Sequence, residues 1–215
     1  MRGNIPYRCL LELHYLPCIW YMRQFFLHDA VRIERHEHYQ KRSYRNRSTI
    51  LSPQGPQVLS VPLVKGKHQQ QPVSEVRISY DMPWYAQHWH AIQTAYGSAP
   101  FFIHYGDRIR GVLYQKFDTL YTLNFAFLSW MLEQLHFAGT LDETTLYEKT
   151  SAGDTHDLRN AILPGTDIQT PPYTQVFSDR MPYIANLSAL DLLMHLGPEA
   201  SLYIKGKWDD QTAEY

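Results

Sequence analysis
Between Arg32 and Arg47 the chain gathers six of its 20 lysines and arginines, two histidines and only two glutamates. Imidazole is the side chain that exchanges protons near neutral pH, and guanidinium offers a planar fork of donors that matches carboxylate or phosphate. His36 is therefore a candidate general base, Arg45 and Arg47 a clamp for an anionic ligand, and Lys41 an assisting cation. The bland alternative is a solvated sheet face on which Glu34, Glu37 and the arginines neutralise one another.

The elements around this stretch must position it. Val31 to His38 reads as a strand, with Glu34, His36 and His38 on one face and Ile33, Arg35 and Glu37 on the other. Ser43 to Leu51 repeats the alternation, with Arg45, Arg47 and Thr49 opposite Tyr44, Asn46 and Ser48. Upstream, the apolar run from Cys9 to Leu16 ends at Pro17, and a compact helical stretch from Ile19 to His28 follows. A strand, a helix and a strand in this order predict a right-handed crossover with parallel neighbouring strands.

Pro53, Gly55 and Pro56 separate Ser43–Leu51 from a further extended run, Val58 to Val64, which predicts an antiparallel hairpin. Val73 to Tyr80 alternates as another half-buried strand. From Pro83 the period changes: Trp84, His88, Ile92 and Tyr96 recur every four residues along one helical face. His88 there is either a core histidine or a ligand contact and is the alternative to His36 as general base, with Trp84 and Tyr96 beside it, and Glu34 and Asn46 in the basic stretch, as substrate-binding candidates. Val112 to Leu135 reads as one long helix, Leu141 to Thr150 as a strand and Ser151 to Asp157 as a polar loop. Ser188 and Asp191 have the spacing of a helix start. The fold class is α/β: a single mixed α+β domain, residues 1–215, with an N-terminal β-α-β unit, an antiparallel hairpin and packed helices. Residues from about 153 form a possible C-terminal annex.

Composition narrows the function. The net charge of −1 argues against a nucleic-acid protein, because phosphate backbones select a clear basic excess. Two cysteines suit a reducing cytoplasm rather than a disulfide scaffold. Glu12, His14 and Arg23 interrupt the N-terminal apolar patch before it reaches the length of a membrane span.

No dinucleotide or phosphate-loop glycine motif is present, nor a G-x-S-x-G elbow. His36 and His38 with Glu34 have a spacing that metals use, and Cys18 with His14 is a conceivable nucleophile and base, but neither pattern is specific. No cofactor is expected.

Several runs in order carry a resemblance: Tyr15-Leu16-Pro17, His36 through Arg47, Leu59 to Pro62, Trp84 with His88-Trp89, Ala95-Tyr96, Ala99 to Phe102, and Asn186 to Leu193. Together, across residues 9–204, they resemble the WbqC-like protein family. Many members have His-Gln-Pro just before the Tyr-Leu-Pro run, where this chain has Leu11, Glu12 and Leu13. The resemblance implies a bacterial, cytoplasmic acyl or aminoacyl (glycyl) transferase of O-antigen or other surface-polysaccharide assembly. It marks Lys41, Arg45, Asn46, Arg47 and His88 as matched positions. The expected partner is a small anionic or nucleotide-linked glycan precursor, with no nucleic acid and no membrane span. The alternative is a non-catalytic module that binds such a precursor, or a partner protein, through the same basic face.

Overall fold
The computed structural model describes residues 8–66, 71–147, 149 and 154–208. Strand β1 (Arg8–Leu11), helix α1 (Ile19–Leu27) and strand β2 (Ala30–Ile33) form the expected crossover, with β1 and β2 parallel and Cys9 opposite Val31. Pro17 sits between β1 and α1, so the chain leaves the sheet there. The hairpin of β3 (Arg47–Ser52) and β4 (Gly55–Ser60) is antiparallel and turns through Pro53 and Gln54. Gly55 adopts φ +110°, a conformation that a Cβ would strain.

Two helices from the four-residue spacing region follow. Helix α2 (Trp84–Tyr96) buries Trp84, His88, Ile92 and Tyr96 along the stripe read from sequence. The segment after Ala99 continues as α3 (Phe102–Tyr114) rather than merely packing over the end of α2. The single helix expected over Val112–Leu135 is two. Lys116 takes a left-handed φ of +55°, and Thr119 then caps α4 (Leu120–Gln134) by accepting the Thr122 N–H.

Further strands complete a four-stranded sheet in the order β5-β2-β1-β6, parallel throughout, from β5 (Thr140–Glu143) and β6 (Thr155–Asp157). The polar loop expected at Ser151–Asp157 thus ends as a strand; residues 151–153 lie outside the described residues. Val73–Tyr80 is not a continuous strand: Val73–Glu75 is a 3-10 turn, and only Arg77 and Ile78 make isolated bridges. Helix α5 (Ala189–Leu196) starts at Ser188, whose hydroxyl accepts the Leu190 N–H, and α6 (Ala200–Lys205) follows. Asp191 does not reach back to complete a capping box. It lies buried and accepts the Tyr173 hydroxyl at 2.6 Å.

One contiguous buried core extends from Cys9 to Ile204 and takes in Leu158, Ile162 and Ile168. Each large apolar side chain withdrawn from water contributes about 1.5–3 kcal/mol, which is why stripes such as Phe127, Met131 and Leu135 dictate helix packing. Among the described residues no helix is long and apolar enough to cross a membrane.

Candidate functional site
The sheet's strands are short, and the residues at their carboxyl ends are polar. Glu12 follows β1, Glu34 follows β2, Thr144 follows β5, and Asp157 ends β6. The chain passes from β1 to β2 on one side, whereas β6 returns to pair with β1 on the other. Such a reversal leaves a crevice beyond the strand ends, where parallel sheets commonly hold ligands.

Here the crevice is a cavity of about 430 Å3 lined by His36, Glu37, His38, Asp157, Arg159 and Asn160, with Gln40, Tyr147 and Lys149 completing its border. It exists because β2 does not continue to His38. The Glu34 N–H donates to the Leu11 carbonyl, and the Glu34 carboxylate then accepts the His36 N–H at 2.7 Å. That contact bends the chain away from the sheet, so the alternation expected over Val31–His38 fails after Ile33.

Behind the cavity lies a buried ionic cluster. Arg45 is fully buried and donates through Nε and Nη2 to the two oxygens of Glu37, at 2.7 and 2.6 Å. Its Nη2 also donates to Asn160 Oδ1 at 3.0 Å, and its Nη1 lies 3.8 Å from Glu12. Asn160 has a left-handed φ of +60°, which Asn tolerates, and its N–H donates to Glu12 Oε2 at 3.0 Å. Arg159 joins Glu34 at 3.1 Å to Asp157, which it grips through Nε at 2.9 Å and Nη2 at 2.5 Å. Each guanidinium therefore bridges two carboxylates.

The electrostatics follow from this geometry. Burial pushes the Glu37 carboxyl up, against the pull of Arg45 and with repulsion from Glu12 and Glu34 adding to the rise. Burial also acts to raise Glu12, but the hydrogen bond and charge of His14, with Arg45, outweigh it and hold that carboxyl below its ordinary range. At Asp157 the same contest is won by Arg159, and the carboxyl is lowered. His14 is wholly enclosed; burial, outweighing its Glu12 contact at 3.1 Å, drives its pKa down.

The residues singled out from sequence fall in different places. His36 lines the cavity, and its Nε2 lies 3.1 Å from the Thr144 carbonyl. That contact requires the proton on Nε2 and leaves Nδ1 as the acceptor in the neutral ring. Glu34 is buried behind the wall, held by the His36 N–H, the Thr144 hydroxyl at 2.8 Å and Arg159. Arg45 is part of the cluster described above and does not line the cavity. Asn46 accepts the Tyr39 hydroxyl and donates to the Val61 carbonyl, tying the hairpin to the preceding turn. Arg47 is half-buried at the start of β3, and Lys41 is exposed in the turn before it. Neither is among the cavity residues.

Trp84, His88 and Tyr96 lie apart from the cavity on the buried face of α2. The Tyr15 hydroxyl is 2.8 Å from His88 Nδ1, Trp84 packs edge-on at 5.0 Å, and the ring also bonds the Ser60 backbone. Burial, opposed by the Ser60 contact, pushes His88 down to about 4, so the ring is neutral at physiological pH. Tyr96 is fully enclosed and contacts the Leu51 N–H at 3.4 Å. Burial pushes the Cys18 thiol up to about 12, which leaves almost no thiolate. Among the described residues no three His, Cys, Asp or Glu side chains converge as a metal-binding group.

Sequence reasoning did not assign Glu12, Asp157, Arg159 and Asn160 to a site, and it named Glu37 only in the alternative of mutual neutralisation with the arginines, the pairing that Arg45 makes. The available signal was positional: acids stand immediately after the first two apolar strand runs, and Asp157, Arg159 and Asn160 cluster in four residues.

Comparison with curated proteins and with solved structures found no match. The model of the WbqC-like protein family matches residues 13–163, a span that includes every residue lining the cavity. The chain belongs to the WbqC-like protein family.

Proposed function
We propose that this protein is a cytoplasmic transferase that moves an acyl or aminoacyl group, glycyl among the candidates, onto a sugar during assembly of a bacterial surface polysaccharide such as O-antigen. Family membership supports the setting. The observation that carries the chemistry is the polar cavity at the carboxyl ends of the sheet, which has two imidazoles, two carboxyls and a guanidinium on its wall.

In this reading His36 is the general base. The Thr144 carbonyl holds the proton on Nε2, so Nδ1 accepts the proton of the acceptor hydroxyl or amine as that atom bonds to the activated acyl carbon. The bond to the donor's leaving group then breaks, and the departing atom takes the bonding pair and the proton that His36 accepted. Lys149 at the cavity border is the cation available to an anionic or nucleotide-linked precursor. Arg45 supports the site by holding Glu37 in the wall rather than by clamping the donor.

The test is complementation of a strain lacking the native gene, with the acyl substituents of its surface polysaccharide measured by mass spectrometry. Wild type restores the substituent, and His36→Ala restores less than about one hundredth as much per unit time, the contribution typical of a positioned base. Full restoration by His36→Ala removes the base from this mechanism. No substituent difference between the deletion strain and the complemented strain overturns the transferase and favours a binding module without turnover.

A further inference from the structure
Counting charge around the cavity shows an imbalance. Among the described residues, Glu12, Glu34 and Glu37 are buried behind or in the wall with two guanidiniums, Arg45 and Arg159, while Asp157 is at the mouth and Lys149 at the border. His14 stands 3.1 Å from Glu12, so its imidazole serves that carboxyl and not the cavity wall. An excess of buried negative charge is unfavourable unless protons or a cation neutralise it. The carboxyls among the residues lining the open volume are those of Glu37, 5% exposed, and Asp157.

We infer that the cavity takes a ligand bearing a primary ammonium, which seats against Glu37 and has Asp157 as its second contact. An ammonium has three donors and no acceptor, so it matches carboxylate oxygens whose other lone pairs already receive Arg45 and Arg159. The upward push on Glu37 fits a site that lacks this cation until the ligand arrives. If Glu37 carries a proton, that proton leaves to solvent as the ammonium pairs with the carboxylate.

The inference deepens the transferase reading and rests on it for the ligand's origin. The same chemistry belongs to the α-amino group of an aminoacyl donor and to an amino-sugar acceptor. The 430 Å3 cavity is large enough for either small group.

The test titrates the purified full-length chain with glycinamide, glucosamine, their N-acetylated counterparts and glycolate, by calorimetry and thermal shift. An amine binds roughly tenfold or more tightly than its N-acetyl partner, the discrimination expected of one charge-assisted hydrogen bond. Preference within the glycinamide pair identifies the donor as the source, and preference within the glucosamine pair identifies the acceptor. Asp157→Asn weakens the preferred amine several-fold, and Glu37→Gln abolishes its advantage. Equal or tighter binding of the N-acetyl compounds or glycolate overturns the proposal, as does failure of both amines to bind at tens of millimolar. These wild-type titrations stand even if Glu37→Gln does not fold. Loss of polysaccharide substituent in His36→Ala without amine preference would remove the ammonium seat and leave the transferase standing. Amine preference with an unaltered polysaccharide would do the reverse.

Discussion

Two regions of this protein bury ionisable side chains, and they do so for different physical ends. At the carboxyl end of the parallel sheet, Glu37, Asp157, Arg159 and His36 line an open volume with Glu12, Glu34 and Arg45 behind them, and burial lifts Glu37 while Arg159 lowers Asp157. On α2, His88 is enclosed by Trp84 and Tyr15 with both of its hydrogen-bonding edges satisfied, apart from that volume. The contrast teaches that burial of a histidine is weak evidence of chemistry. Opposed charges that front a cavity are stronger evidence, because the fold holds them there at a cost in desolvation.

The sharpest way to break this contrast is to remove Arg45. Arg45→Met leaves Glu37 and Glu12 without their buried cation, and stability to urea should fall by about 3–5 kcal/mol. A loss below about 1 kcal/mol would show that the cluster is solvated and that the wall is not built as described.

A smaller effect separates His88. Its folded pKa of about 4 is depressed from the ordinary 6.5, so between these values the unfolded chain binds a proton that the folded chain refuses. Stability therefore declines as pH falls from 6.5 to 4, by ~3 kcal/mol at the bottom of the window. Denaturant melts across that range should show a flatter profile for His88→Gln. Parallel profiles for the two proteins would remove His88 as the source of the slope.

The smallest expected effect is at Lys41. It is exposed in a turn outside the cavity, and Lys41→Ala should change stability by no more than about 0.5 kcal/mol and leave amine binding intact. A several-fold loss of binding would bring the turn into the site and blur the distinction between cluster and surface.

Local signals explain which parts of this structure could be read from the chain. Pro17 marks the end of the β1 run, Gly55 marks the hairpin, four-residue spacing marks α2, and Ser188 marks the start of α5. Each is a preference expressed over a few residues. The cavity is different in kind. Strand β6 has only three residues and is defined by pairing with Arg8, Cys9 and Leu10 far upstream. Arg159 finds Glu34 from 125 residues away, and no local periodicity encodes that meeting. The basic stretch from Arg32 to Arg47 was visible as a concentration of charge, but Glu34 bends the backbone through the His36 N–H. That turn puts Glu37, not Arg45, at the wall.

The late arrival of Arg159 and Asn160 has a consequence for synthesis in the cell. At about 5–20 residues per second the ribosome releases Arg45 on the order of ten seconds before Asn160. Over that interval three glutamates and one arginine await their counterparts, and β1 presents the open edge that β6 will later cover. A nascent chain stopped before Asp157 thus exposes a strand edge and lacks one of its two neutralising arginines, which makes the final third of the polypeptide a requirement for safe folding of the first.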